Sequence, residues 1–173
     1  MHSALEASPA AGDRSDPHFE LIELFFFAYR DFVGGADQLL ERYRFGRAHH
    51  RVLHFVTRRP GMTIAELLDI LKITKQSLAR VLRELVDEGF VEARPGVVDR
   101  RQRLLFPSEK GRALALDLAQ LQSARFERAL AEVGGEAHRR AADFLMAMIE
   151  PDERERVAHI VRPAAPARWK EAS

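Results

Sequence analysis

The 173-residue chain has no cysteine, which excludes disulfides, thiolate metal ligands and any switch that works by thiol oxidation. Long hydrophobic runs are missing as well. The longest, Leu24-Phe-Phe-Phe-Ala-Tyr29 and Phe144-Leu-Met-Ala-Met-Ile149, fall far short of the roughly 20 apolar residues that span a bilayer. Residues 1–17 mix acids and bases without the apolar core of a secretory signal. The expected location is therefore the cytoplasm. Catalytic signatures are also lacking: there is no Gly-x-Ser-x-Gly elbow, phosphate-binding Gly-x-x-x-x-Gly-Lys-Ser/Thr loop, Rossmann glycine pattern or His-Glu-x-x-His pair. The scattered acids form no motif-defined couple. Neither enzymatic activity nor a bound cofactor is expected.

An excess of one charge is absent from the whole chain but not from its parts. Lys and Arg number 27 against 26 Asp and Glu, a net charge of +1. Residues 1–41 hold 2 basic and 8 acidic residues, net −6, whereas residues 42–112 hold 16 and 8, net +8. Residues 113–173 return to net −1, with 9 basic and 10 acidic. Positive charge thus collects in the middle of the chain. Arg42 to Arg59 alone has six arginines and no acid. Such a stretch suits contact with phosphate, the source of affinity and salt dependence in DNA binding, and equally suits a solvated face or packing on neighbouring helices.

Within that basic region, Thr63-Ile-Ala-Glu66 has the spacing of a capping box, so a helix starts there. Its apolar residues Ile64, Leu67, Leu68 and Leu71 recur every three or four positions, Lys72-Ile73 interrupts, and Thr74 offers a second cap. In the second helix Leu78, Val81, Leu82, Leu85 and Val86 form an inward stripe. Lys75, Gln76, Ser77, Arg80 and Arg83 are left on other faces, and these side chains carry the donors and acceptors that read base edges in a major groove. Gly89 closes the helix. Phe90–Arg94 and Gln102–Phe106 then read as two strands of a hairpin, with a turn at Pro95-Gly96 and Asp99-Arg100-Arg101 near the tip. Arg101 is expected to enter a minor groove, with Asp99 holding its guanidinium. The order of helix, turn, helix and basic hairpin is that of a winged helix.

Four stretches together resemble the MarR family of bacterial transcription regulators: Ile73-Thr-Lys-Gln-Ser-Leu-Ala-Arg-Val-Leu-Arg-Glu-Leu-Val86, Glu88-Gly-Phe-Val-Glu-Ala-Arg94, Asp99-Arg-Arg101, and Ser108 to Gly111 opening the next helix. The resemblance extends from about Phe19 to the last helices. It departs at Pro107, where the family usually has an apolar residue, and at Gly34-Gly35, which are expected to bend or break the first long helix. It implies a mainly α fold with a small β-hairpin wing, the winged helix-turn-helix being flanked by N- and C-terminal dimerisation helices. The expected divisions are a tail at 1–17, a dimerisation helix at 18–41, the winged helix-turn-helix at 42–112, dimerisation helices at 113–162 and a tail at 163–173.

The family pairs its first and last helices across a twofold axis. That fits Phe25, Phe26, Phe27, Tyr29 and Phe32 crowding the first helix, and Leu114, Leu118, Leu121, Phe144, Leu145, Met148 and Ile149 recurring in the last ones. Two recognition helices would then lie about 34–36 Å apart, facing successive major grooves of a palindromic double-stranded site. The candidate DNA contacts are Thr74, Lys75, Gln76, Ser77, Arg80, Arg83, Asp99, Arg100, Arg101 and Arg103. Family members bind small aromatic or anionic effectors, for which Tyr29, Arg30, His50 and His54 are the candidates here. His49, His50 and His54 are compatible with local hydrogen bonds, with phosphate contact or with a ligand pocket; a metal site would require ligands the pattern does not supply. The expected function is that of a homodimeric repressor released by a small-molecule effector. A winged-helix module for protein partners, and a DNA-binding regulator without a ligand, are the alternatives.

Overall fold

A computed structural model of the chain describes residues 17–96 and 99–161. Helix α1 (Phe19–Glu41) runs through Gly34-Gly35 without interruption, so the break expected there does not occur. Val33, Ala36 and Leu40 on either side of the glycines are buried in the core, and that burial outweighs the roughly 1 kcal/mol each glycine costs a helix. Helix α2 (Arg47–Arg58) adds Val52, Leu53 and Val56 to the same core. A two-residue strand follows, β1 (Met62–Thr63), which the sequence pattern did not signal.

The Thr63 hydroxyl accepts the Glu66 N–H at 3.2 Å while the Glu66 carboxylate accepts the Thr63 N–H at 2.7 Å. This reciprocal pair satisfies two otherwise orphaned amides and opens α3 (Ile64–Leu71). Lys72 then takes a left-handed conformation, φ 50°, and turns the chain into Thr74, whose hydroxyl accepts the Ser77 N–H at 3.1 Å and caps α4 (Lys75–Asp87). Leu78, Val81, Leu82 and Leu85 are buried as the spacing required, but Val86, read as part of that stripe, is exposed. Gly89, with φ 73°, ends α4 in a Schellman motif: its N–H reaches the Val86 carbonyl at 3.0 Å and the Phe90 N–H reaches Leu85 at 2.8 Å.

That motif consumes Phe90, so the next strand, β2 (Val91–Pro95), starts one residue later than the pattern suggested. The return strand β3 (Arg103–Pro107) is displaced likewise, because the Gln102 N–H turns back to the Asp99 carbonyl at 3.1 Å. The sheet has the order β1-β3-β2 and is antiparallel throughout, with Ala93 and Met62 both opposite Leu105. Pro107 ends β3, and Ser108 caps α5 (Glu109–Val133) by accepting the Gly111 N–H at 3.0 Å. After Gly134-Gly135 come α6 (Ala137–Ala147) and α7 (Arg154–Val161). Arg156 of α7 pairs with Asp69 of α3, and Arg59 donates to the carbonyls of His159 and Ile160 at 2.8 and 2.9 Å. The expected tails fall almost wholly outside the described residues.

Candidate functional site

Helix α4 presents two chemically distinct sides. One is the buried leucine and valine stripe that packs on α2 and β2; on the other, Lys75, Gln76, Ser77, Arg80 and Arg83 are all exposed. Gln76, Arg80 and Arg83 stand three and four residues apart, so they share a face. Ala79, also exposed, lies between them and was missed in the sequence reading. The same spacing could have found it: a small side chain at that point allows the helix to approach base edges and contact a thymine methyl. Thr74 and Ser77 are tied to each other, the Thr74 hydroxyl donating to the Ser77 hydroxyl at 2.9 Å. Their side chains therefore rigidify the helix start, where free amides favour an anion such as phosphate.

The position of α4 is set from two directions. At the C-terminal end, the Ser108 hydroxyl donates to the Gly89 carbonyl at 2.7 Å and the Lys110 ammonium donates to the Glu88 carbonyl at 3.0 Å, with its charge over the Phe90 ring. Gly111 allows this contact, because a Cβ there would sit 1.9 Å from the Phe90 carbonyl oxygen. On the α2 side, His49 is buried and its Nε2 lies 2.6 Å from the Glu84 carboxylate.

Arg100 and Arg101 are exposed at the hairpin tip and Arg103 on β3. The expected clasp of the Arg101 guanidinium by Asp99 is not formed. Instead the Asp99 carboxylate accepts the Arg101 backbone N–H at 2.9 Å, an Asx-type local bond that a short acid two residues upstream makes more readily than an ion pair in water. The Arg101 side chain is exposed and forms no ion pair among the described residues. Along β2, Arg94 bonds Glu92 at 2.6 Å and stacks over Phe106, which stiffens the wing.

The arginines of 42–59 divide into different roles. Arg47 pairs with Asp37 at 2.8 Å and Arg59 caps α7, while Arg58 lines a cavity. Phosphate contact by this whole segment is thus not what the fold arranges. The candidate effector residues are partly brought together: Tyr29, His50 and His54 line a cavity of about 340 Å³ with Phe32, Arg47 and Gln122. Arg30 lies outside it, pairing with Asp31 and stacking on Phe27. A neighbouring cavity of about 570 Å³ shares Phe32, His54 and Gln122 and is lined further by Thr57, Arg58 and Arg112. The buried Thr57 hydroxyl has no hydrogen-bond partner among the described residues. Burial holds both His50 and His54 below their ordinary imidazole value; Asp37 pulls His50 back up, and Arg58 pushes His54 further down. Both rings are therefore neutral near pH 7. His49 lines neither cavity, its Nε2 being held by Glu84.

A family model described as MarR family matches residues 45–102. The HTH-type transcriptional regulator PetP of Rhodobacter capsulatus is 45% identical over 130 residues, which cover 75% of this chain and 78% of that one. The chain belongs to the MarR family. Among solved structures, a MarR transcriptional regulator from Methanosarcina mazei Go1 matches with a TM-score of 0.63 and 26% identity, over 76% of this chain and 88% of that one. The transcriptional repressor CouR, bound to a 23-mer DNA duplex, matches in fold with a TM-score of 0.59 and 23% identity, over 82% of this chain and 97% of its own. As a MarR family member, the chain is a DNA-binding transcriptional regulator and not an enzyme. None of its described helices is long and apolar enough to cross a membrane.

Proposed function

We propose that this MarR family chain is a homodimeric, cytoplasmic repressor of palindromic DNA sites, released by a small aromatic or anionic effector. The observation that carries the reading is the polar face of α4, where Gln76, Arg80 and Arg83 stand in solvent above a fully buried stripe. Thr74 and Ser77 rigidify the start of that helix, Lys75 contributes charge, and Gln76, Arg80 and Arg83 contact base edges in the major groove. Arg101 enters the minor groove, with Arg100 and Arg103 beside it and Asp99 shaping the tip. Exposed Phe19, Ile22 and Phe26 on α1, with Phe144 and Leu145 on α6, are too large an apolar area to leave in water and pair with the same surface of a second copy. The repressor role follows CouR, the related fold described as a repressor on DNA.

The effector enters between α1, α2 and α5, where neutral His50 and His54, Tyr29 and the orphaned Thr57 hydroxyl offer polar contacts on an aromatic floor. By favouring a dimer geometry whose recognition helices no longer match half-site spacing, it weakens DNA binding. A coupling of ~1–3 kcal/mol changes occupancy ~5- to 150-fold. The test is selection of bound genomic fragments by the wild type and by Arg101→Ala, with a salt titration on the best fragment. The reading requires a palindromic motif, a steep salt slope and a motif that broadens in the variant. Weak enrichment without a motif, unchanged by the substitution, would sink it.

A further inference from the structure

Among the described residues, His49 is the buried polar side chain, and it belongs to α2 rather than to α4. Its surroundings fix both the ring and its proton. The Gly46 N–H donates to Nδ1 at 3.1 Å, so the ring proton sits on Nε2 and is donated to Glu84 Oε2 at 2.6 Å. The imidazole lies flat on Phe45, centroids 4.6 Å apart and planes at 9°, and Phe45 in turn packs edge-on to Phe90 just past the end of α4. A ring held by a stack and by bonds at both nitrogens does not swivel. The carboxylate it grips stands on the recognition helix, 35 residues away in sequence.

The other oxygen of that carboxylate, Glu84 Oε1, lies 4.0 Å from the Arg80 guanidinium, one helical turn back on the exposed face. On an isolated helix this order, base before acid, is the weaker arrangement of an ion pair, and exposed pairs are weak in any case. Arg80 therefore cannot fix Glu84. His49 can, through a short bond from a buried donor. The same bond draws the acid toward α2 and away from where phosphates would lie.

We propose that His49 and Glu84 are positioning residues for base reading: the imidazole on α2 locks the Glu84 carboxylate, and the locked carboxylate restrains the Arg80 guanidinium in the orientation that meets a base. The proposal rests on the reading of Arg80 as a base contact. Preorganising one long, flexible side chain raises discrimination between right and wrong bases, because less freedom is lost when the correct contact forms.

The experiment uses the full chain and two probes, the duplex most enriched from a random library and a scrambled duplex of the same composition, at one salt concentration. His49→Phe keeps the stack on Phe45 but removes both nitrogens, while Glu84→Gln keeps an acceptor for Nε2–H but removes the charge beside Arg80. Each variant is measured alone and combined with Arg80→Ala, with thermal midpoints recorded throughout. Each is expected to lower the ratio of best to scrambled affinity by about 5-fold, the upper end of what an exposed ion pair contributes. In the Arg80→Ala background each is expected to lower it by less than about 2-fold, since the side chain being positioned is gone. Dependence of the loss on Arg80, whatever the shift in thermal midpoint, is the readout that a merely structural role would not give. Equal losses in both backgrounds, or equal losses on both duplexes, would overturn the positioning role while leaving Arg80 as a reader. An Arg80→Ala variant whose base preference matches wild type would instead overturn the reading of Arg80, and the positioning role with it.

Discussion

A single neutral histidine decides little by itself, but His50 and His54 share a wall of the same cavity and titrate against the same burial. Their folded forms hold protons less tightly than the ordinary value of 6.5, burial being the first cause in both. On acidification the unfolded chain therefore takes up protons first. In that window the unfolded state binds more protons than the folded one, so stability falls as pH drops below about 6.5 and is fully present above it. The expected outcome is a thermal midpoint that declines between pH 7 and pH 5.5 in the wild type and declines less in the His50→Asn/His54→Asn double variant. Parallel curves for the two proteins would show that other groups carry the acid response. The residue scale also explains Asp99: a backbone amide two positions away is always within reach, whereas a guanidinium in water must give up its rotamer freedom to be clasped.

At the scale of elements, the decisive joint is the seam between the end of α4 and the start of α5. Ser108, Lys110 and Gly111 meet Glu88, Gly89 and Phe90 there through four hydrogen bonds and one backbone contact too close for any Cβ. Gly111→Ala must push α5 away from Phe90, since a carbonyl oxygen cannot yield as a side-chain tip can. A loss of about 1–3 kcal/mol in urea unfolding is expected, the usual cost of overpacking, together with weaker DNA binding because the recognition helix is carried by that seam. Wild-type stability in the alanine variant would mean that the two segments do not press on each other in solution. Ser108 was legible as the opening of a helix, but its cap and its second use, donating back to the α4 turn, became visible only when α5 was seen against that turn.

For the whole molecule, the deciding fact is how much of its apolar surface faces outward. Phe26 is 62% exposed and Phe144 54% exposed, on helices at opposite ends of the chain. In the proposed dimer a second copy covers both, supplying the missing burial and spacing the two recognition helices for a palindrome. Phe26→Arg places a charge in that contact and is expected to shift the protein from dimer toward monomer in sedimentation experiments. Affinity for a full palindrome should then fall far more than affinity for a half-site. A variant that remains dimeric and binds both as before would exclude the α1 face from the interface.

Much of this protein was readable along the chain because its determinants act over three or four residues. The capping box at Thr63, the cap at Thr74, the glycine stop at 89 and the core stripe of α4 each depend on neighbours within a turn of helix, and so did the family resemblance they carry. What lay beyond the sequence depends on contacts between distant segments. Whether Gly34-Gly35 break α1 depends on the core that Val33, Ala36 and Leu40 find; whether Met62-Thr63 form a strand depends on Leu104 and Leu105 lying alongside. Which arginines of 42–59 remain available was settled by Asp37 and by the carbonyls of α7. His49 looked like one of three similar histidines until folding brought Glu84 to its Nε2. Local hydrogen bonding and periodicity write themselves into sequence order, whereas burial and long-range pairing exist only once the chain has closed on itself.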